Sequence, residues 1–184
     1  MGRRVLVIGG GGREHALCLA LHESASISEI HTTPGNAGTR HYGRNHDVSA
    51  SDIDGLVELT KHLKVDFVVV GPEAPLCEGL ADRLVQNGIP CFGPQQMHAE
   101  LEGSKLFAKK AMDAAGVPTA EYDVLDAKTD IKACLDARSQ DPWVLKRDVL
   151  AGGKGVVVTT DYEEAVEFIE LSLIHISEPT RPID

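Results

Sequence analysis

The chain has no surplus of positive charge, no membrane-length apolar run and no closely spaced cysteines. Lys and Arg number 18 against 28 Asp and Glu, a formal charge of −10. A general nucleic-acid or membrane-surface binder needs a basic face, so neither partner is expected, although a small basic pocket for a phosphorylated metabolite is still allowed. Cys18, Cys77, Cys91 and Cys134 stand far apart with no C-x-x-C pair. That pattern suits reduced core thiols in a cytoplasmic protein better than zinc or disulfides. The first strand-like run begins within four residues of Met1, which leaves no room for a signal or transit peptide. With 184 residues, 42% hydrophobic and 25% charged, the chain suits one large globular domain, or one domain and part of another.

Val5–Ile8 is an apolar, mostly β-branched run that reads as a strand buried on both faces. It enters four glycines, Gly9–Gly12, and then Arg13 and Glu14. Ala16, Leu17, Ala20 and Leu21 recur at helical spacing, so a helix is expected from about Arg13. Strand, glycine turn and helix start together make a ready anion site, such as one for phosphate. A dinucleotide site is disfavoured. The third small residue of G-x-G-x-x-G is replaced by Glu14 or His15, depending on where counting starts. The second strand, about Ile27–Thr32, ends in Thr32, Thr33 and Pro34 rather than in an acid that could hold a ribose.

Pro34–Thr39 is too rich in glycine for regular structure, and Asn36 and Thr39 bring polar side chains to the carboxyl end of that strand, where parallel sheets place ligands. His41 and His46 lack the partners a metal site needs. Ser51 and Asp54 resemble a capping box ahead of a helix with Ile53, Leu56, Val57, Thr60 and Leu63 inward. The strand Asp66–Val70 opens into Gly71, Pro72, Glu73, Ala74 and Pro75. Glu73 either accepts a hydrogen bond from a ribose hydroxyl or an amine, or complements the helix expected from Leu76 to near Gly88. A short strand, Ile89–Phe92, completes an alternation that predicts a parallel sheet covered on both faces.

Beyond Gly103 the character changes. Ser104 caps a helix carrying Phe107, Ala108, Ala111, Met112 and Ala115, and Lys105 falls in its first turn, where a cation opposes the helix dipole. Such a local conflict is more expected at a functional site than elsewhere. A strand at Ala120–Leu125 and a helix at Ala127–Arg138 are expected next. Two strands, Trp143–Lys146 and Val156–Thr160, then flank Gly152, Gly153, Lys154 and Gly155, a loop suited to covering phosphates but not a P-loop, since a strand follows it. Asp161 and Glu164 open a last helix.

Taken together, Val5–Leu17, Pro34–Thr39, Val69–Leu76, Leu101–Lys105 and Gly153–Val156 resemble the glycinamide ribonucleotide synthetase family, in that family's order and spacing. The resemblance implies a parallel-sheet, Rossmann-like pre-ATP-grasp domain over residues 1–100, a linking helix over 101–119 and the start of an ATP-grasp domain over 120–170, left incomplete. It implies a ligase that uses ATP and Mg²⁺ to join glycine to phosphoribosylamine through an acyl phosphate. Lys105, Lys146, Gly152, Gly153, Lys154 and Gly155 would then face ATP. Gly10, Gly11, Gly12, Arg13, Asn36, Pro72 and Glu73 would face the phosphosugar. Another ATP-grasp ligase or carboxylase, or a truncated nucleotide binder without activity, is the alternative.

The chain departs from the family's pattern at Val149, which stands where a glycine is usual in the flap. Its 184 residues are less than half of such a ligase and omit the Mg²⁺-binding carboxylates, so a fragment inactive alone is expected. Residues 171–184 match nothing in the family and resemble translated adapter sequence, so they are expected to be a non-native tail. Fusion to later purine-pathway domains, as in animal versions, is left open.

Overall fold

The computed structural model describes residues 2–138, 142–150 and 155–177. The chain divides into two units, residues 1–103 and 104–184.

In the first unit, β1 (Arg3–Gly9), β2 (Ile27–Pro34), β3 (Arg44–Asn45), β4 (Phe67–Val70) and β5 (Cys91–Phe92) form a parallel sheet in the order β3-β2-β1-β4-β5. Val5, Leu6, Val7 and Ile8 are all fully buried, because β1 is the central strand and both of its faces are covered. Leu6 and Ile8 pack with Leu56, Val68, Leu80 and Leu84 on one face, and Val5 and Val7 with Cys18, Ile30 and Val69 on the other. Each such side chain contributes about 1.5–3 kcal/mol by leaving water. From β1 the chain goes to β2 on one side and later to β4 on the other. This is the switch point beside which parallel sheets bind ligands.

Helix α1 (Gly12–His22) forms as expected but buries Glu14 and Cys18 and leaves Ala16 and Ala20 exposed, whereas helix α2 (Ile53–Leu63) follows the expected register. The cap of α2 differs: Asp52 accepts the Gly55 N–H at 2.9 Å and holds the place assigned to Ser51. The single helix expected after Glu73 is two, α3 (Ala74–Cys77) and α4 (Leu80–Gln86). Gly79 breaks it with φ +84°, and Gln96 Nε2 donates to the Cys77 carbonyl left at the break. A further helix, α5 (Gln96–Gly103), closes the unit.

The second unit holds α6 (Lys105–Ala114), α7 (Ile131–Ala137), an antiparallel pair β6 (Trp143–Lys146) and β7 (Val156–Thr159), and α8 (Tyr162–Ser177). Leu135, Ala165 and Ile169 form its core with Trp143 and Leu145 against them. The strand expected at Ala120–Leu125 does not form. Lys109 Nζ takes Thr119 Oγ1 and the Ala120 carbonyl at 2.6 Å each, and Tyr122 donates to Asp113, so this stretch is tied to α6 and makes no ladder. Helix α8 runs to Ser177, past residue 171 where the tail was expected to begin. Residues 178–184 lie outside the described residues. Among the described residues no helix is long and apolar enough to cross a membrane.

His31 and His46 bond ring to ring at 2.9 Å, with Glu29 3.2 Å from the other His31 nitrogen. Burial holds both imidazoles below the ordinary value of 6.5, helped by the neighbouring Arg44 and, for His46, by His31 itself; Glu29 partly offsets the effect at His31. The unfolded chain therefore takes up protons first as pH falls. The resulting stability is full above about pH 6.5 and is lost below it. The thermal midpoint of the first unit is expected to drop between about pH 7.5 and 5.5. The variant His46→Asn should flatten that dependence, as calorimetry at several pH values would show.

Candidate functional site

Three loops leave the carboxyl ends of β1, β2 and β4 side by side: Gly10–Arg13, Gly35–Asn36 and Gly71–Glu73. Extra backbone bonds hold them together, from Gly35 N–H to the Gly9 carbonyl at 3.1 Å and from Gly71 N–H to the Ile8 carbonyl at 2.9 Å. The sequence-predicted residues Gly10, Gly11, Gly12, Arg13, Asn36, Pro72 and Glu73 are thereby brought to one rim.

Asn36 braces this rim. Its Nδ2 donates to the carbonyls of Gly10 at 3.0 Å and Gly11 at 3.1 Å, and its Oδ1 accepts from the N–H groups of Gly38 and Thr39. Asn45 Nδ2 donates to the Asn36 carbonyl at 2.8 Å. The Asn36 amide is spent on the protein, so its part in a site is to shape the loops. Glu73 leaves α3 without a side-chain cap and turns its Oε2 towards Arg13 Nη2 at 3.4 Å. Both groups are largely exposed, so the pair steers geometry and adds little stability.

Glu14, noted in the sequence only as the wrong residue for a dinucleotide fingerprint, is the hub beneath the rim. It is 4% exposed, and its Oε2 accepts the Gly11 N–H at 2.5 Å. Its Oε1 is buried with no hydrogen-bond partner among the described residues. Two glycines make room for it. Gly9 has φ +122°, and a Cβ there would meet the Glu14 carboxyl carbon at 2.7 Å. A Cβ on Gly71 would fall 2.0 Å from Oε1. The only signal in the sequence was the coincidence of an acid at the third-glycine position with a glycine at the end of β4.

In the second unit Ser104 caps α6 as expected, accepting the Phe107 N–H at 3.0 Å. Asp148, which the sequence reading did not single out, lies over the same helix start. Ser104 Oγ is 3.0 Å from each of its carboxylate oxygens, and the Leu106 N–H donates to Oδ1 at 3.0 Å. Lys105 Nζ donates to the Val149 carbonyl at 3.2 Å. The conflict between Lys105 and the helix dipole is thus offset by an acid beside it. Lys146 is paired with Val156 across the hairpin, and Arg147 N–H donates to the Gly155 carbonyl at 2.9 Å. Gly155 is buried, while the predicted Gly152, Gly153 and Lys154 lie outside the described residues.

A parallel sheet with three loops gathered at its carboxyl edge, followed by a hairpin-bearing α/β unit, defines the front of an ATP-grasp protein. An N5-carboxyaminoimidazole ribonucleotide synthetase solved as its ADP complex shares this fold, with a TM-score of 0.73 at 20% identity over 94% of this chain and 45% of its own. The chain belongs to the phosphoribosylglycinamide synthetase family: residues 3–102 match that family's N domain and residues 103–177 its ATP-grasp (A) domain. It is 48% identical over 166 residues to the phosphoribosylamine–glycine ligase of Mycobacterium tuberculosis (strain ATCC 25618 / H37Rv), covering 88% of this chain and 39% of that protein. The crystal structure of the Thermotoga maritima phosphoribosylamine–glycine ligase matches with a TM-score of 0.68 at 32% identity, over 89% of this chain and 38% of that one. The chain therefore spans about two fifths of the length of the relatives it matches.

The contact between Glu14 and Gly71 predicts a coupled pair. Gly71→Ala should cost about 2 kcal/mol or more by overpacking. Joined to Glu14→Ala, which empties the same space, it should cost clearly less than the sum of the two. Urea denaturation of the two single variants and the double variant checks this.

Proposed function

We propose that the chain carries the phosphosugar-binding domain and the opening of the ATP-binding domain of a ligase. That ligase would join glycine to 5-phosphoribosylamine in purine synthesis, in the cytoplasm. The observation that carries the reading is the run of both family domains, in order, along one chain 48% identical to a phosphoribosylamine–glycine ligase. In the reaction ATP gives its γ-phosphoryl group to the glycine carboxylate, releasing ADP. The amine nitrogen of phosphoribosylamine then bonds to the glycyl carbon, phosphate leaves with the carbon–oxygen bonding pair, and the amine gives up a proton.

Residues of this chain supply binding and orientation. The rim of Gly10–Arg13, Asn36, Pro72 and Glu73 receives the phosphosugar. The hairpin receives the nucleotide: Val144, Lys146, Val156 and Val158 share its exposed face. An apolar strip suits a flat base, and Lys146 within it, with Lys105 and Lys154, suits the phosphates. Among the described residues no group of three or more His, Cys, Asp or Glu is placed to hold a metal ion, so these residues do not fit a Mg²⁺ site of their own.

Two measurements test this. The chain alone should show no glycine-dependent ATP hydrolysis, and phosphate release should appear only when the remaining three fifths of a relative is supplied with it. Turnover by the chain alone, or none with the remainder, would count against the reading. Lys146→Ala should weaken binding of a fluorescent ATP analogue by about tenfold, the loss of one charge-assisted contact, without shifting the thermal midpoint.

A further inference from the structure

The glycine turn looks made for phosphate, yet its place at the start of α1 is already taken. Glu14 lies in the first turn of α1, where a negative charge complements the positive end of the helix, and its Oε2 holds the Gly11 N–H. The carboxylate is also felt nearby: after burial, the dominant cause, it helps push the Cys18 thiol up, against the Thr32 hydrogen bond that lowers it. Glu73 adds a second acid to the rim, and Arg13, the one cation among the rim residues, faces Glu73. A phosphate set on Gly10–Gly12 would meet a buried acid of its own sign below and another beside it. A group that donates hydrogen bonds meets acceptors in both directions. Oε1 of Glu14, buried and unpartnered, points to the seam between the glycine turn and the Gly71 loop.

We infer that the amine- and hydroxyl-bearing end of the ligand, not its phosphate, lies against the glycine turn, and that Glu14 sets this orientation. The inference rests on the phosphosugar reading for the identity of the ligand, but its electrostatic half stands without it. Glu14 is a specificity-determining residue here: it repels an anion at the turn and leaves the turn to the donor end of an amine-bearing sugar.

The test follows the backbone amide signals of Gly10, Gly11, Gly12 and Arg13 by NMR in the ¹⁵N-labelled chain. It is titrated separately with inorganic phosphate and with glycinamide ribonucleotide, the stable product that keeps the sugar and its C1 nitrogen. In the unsubstituted chain inorganic phosphate should leave the four amides unmoved, and the ribonucleotide should move them. Glu14→Gln keeps the side chain's size and an acceptor for Gly11 but removes the charge. Phosphate should then shift these amides saturably, and ribonucleotide affinity should fall by about tenfold.

Saturable phosphate shifts in the unsubstituted chain, or a Glu14→Gln variant that gains none, would overturn the inference. If the ribonucleotide binds nowhere while Glu14→Gln still gains phosphate, the phosphosugar reading fails and the exclusion by Glu14 stands. If the variant does not fold, the phosphate titration of the unsubstituted chain decides alone: silence supports the inference and saturation refutes it.

Discussion

One buried carboxylate organises the first unit. Taking Glu14 out of water is costly, and the Gly11 N–H and the start of α1 offset that cost at Oε2, while Oε1 has no partner among the described residues. The room it needs comes from glycines on two separate strand ends, Gly9 and Gly71. Two loops far apart in sequence are therefore cut to one side chain. In a dinucleotide fold the third small residue lets helix and strand approach. Here that position carries the acid, and the space has been opened at the end of β4 instead.

The second unit repeats the device at its surface. At α6 the acid is Asp148, from the stretch just after β6, and it meets both the Ser104 hydroxyl and the Leu106 N–H. In both units the positive end of a helix is answered from within the chain. On the proposed reading, anion binding would fall to side chains that carry full charge, Lys105 and Lys146 among them, rather than to helix ends. A lysine in the first turn of α6 is tolerable because Asp148 is there, and its ammonium is steadied by the Val149 carbonyl.

The sheet and its rim were legible because β1 is apolar without alternation and the turn residues after β1, β2 and β4 are unmistakable. The pairing of acids with their sites was not. Glu14 and Asp148 act on groups that only the folded chain brings near: Gly71 is 57 positions from Glu14, and Ser104 is 44 from Asp148. Asn36 read as a ligand donor because its loop is polar and open, whereas its amide is consumed by Gly10, Gly11, Gly38 and Thr39. Local pattern also misplaced two elements. The run Ala120–Leu125 has strand composition, but Lys109 and Asp113 of α6 claim its polar groups. The Cys77 carbonyl left at the Gly79 break is taken up by Gln96, a residue no helical period would connect with it.

The two faces of the hairpin differ in a way that bears on what the chain is for. Trp143, Leu145 and Thr159 turn towards α7 and α8, and Trp143 Nε1 donates to the Leu135 carbonyl at 3.1 Å. On the opposite face Val144 is 55% exposed and Val158 64%, with Val156 and Lys146 beside them. A two-stranded ribbon draws little stability from its own ladder, so three valines bare on one face of this chain call for a second surface to cover them. Polar residues at those positions would hold the ribbon as well and keep it soluble. The valines make sense as half of a sandwich, with Lys146 set where a charged tail would emerge from an apolar slot. Such a face binds a flat heterocycle well only when a second surface closes over it, because an open strip cannot exclude water from both sides of the ring. On the proposed reading a nucleotide would lie against this face, and how tightly it is held would depend on the surface that closes over it.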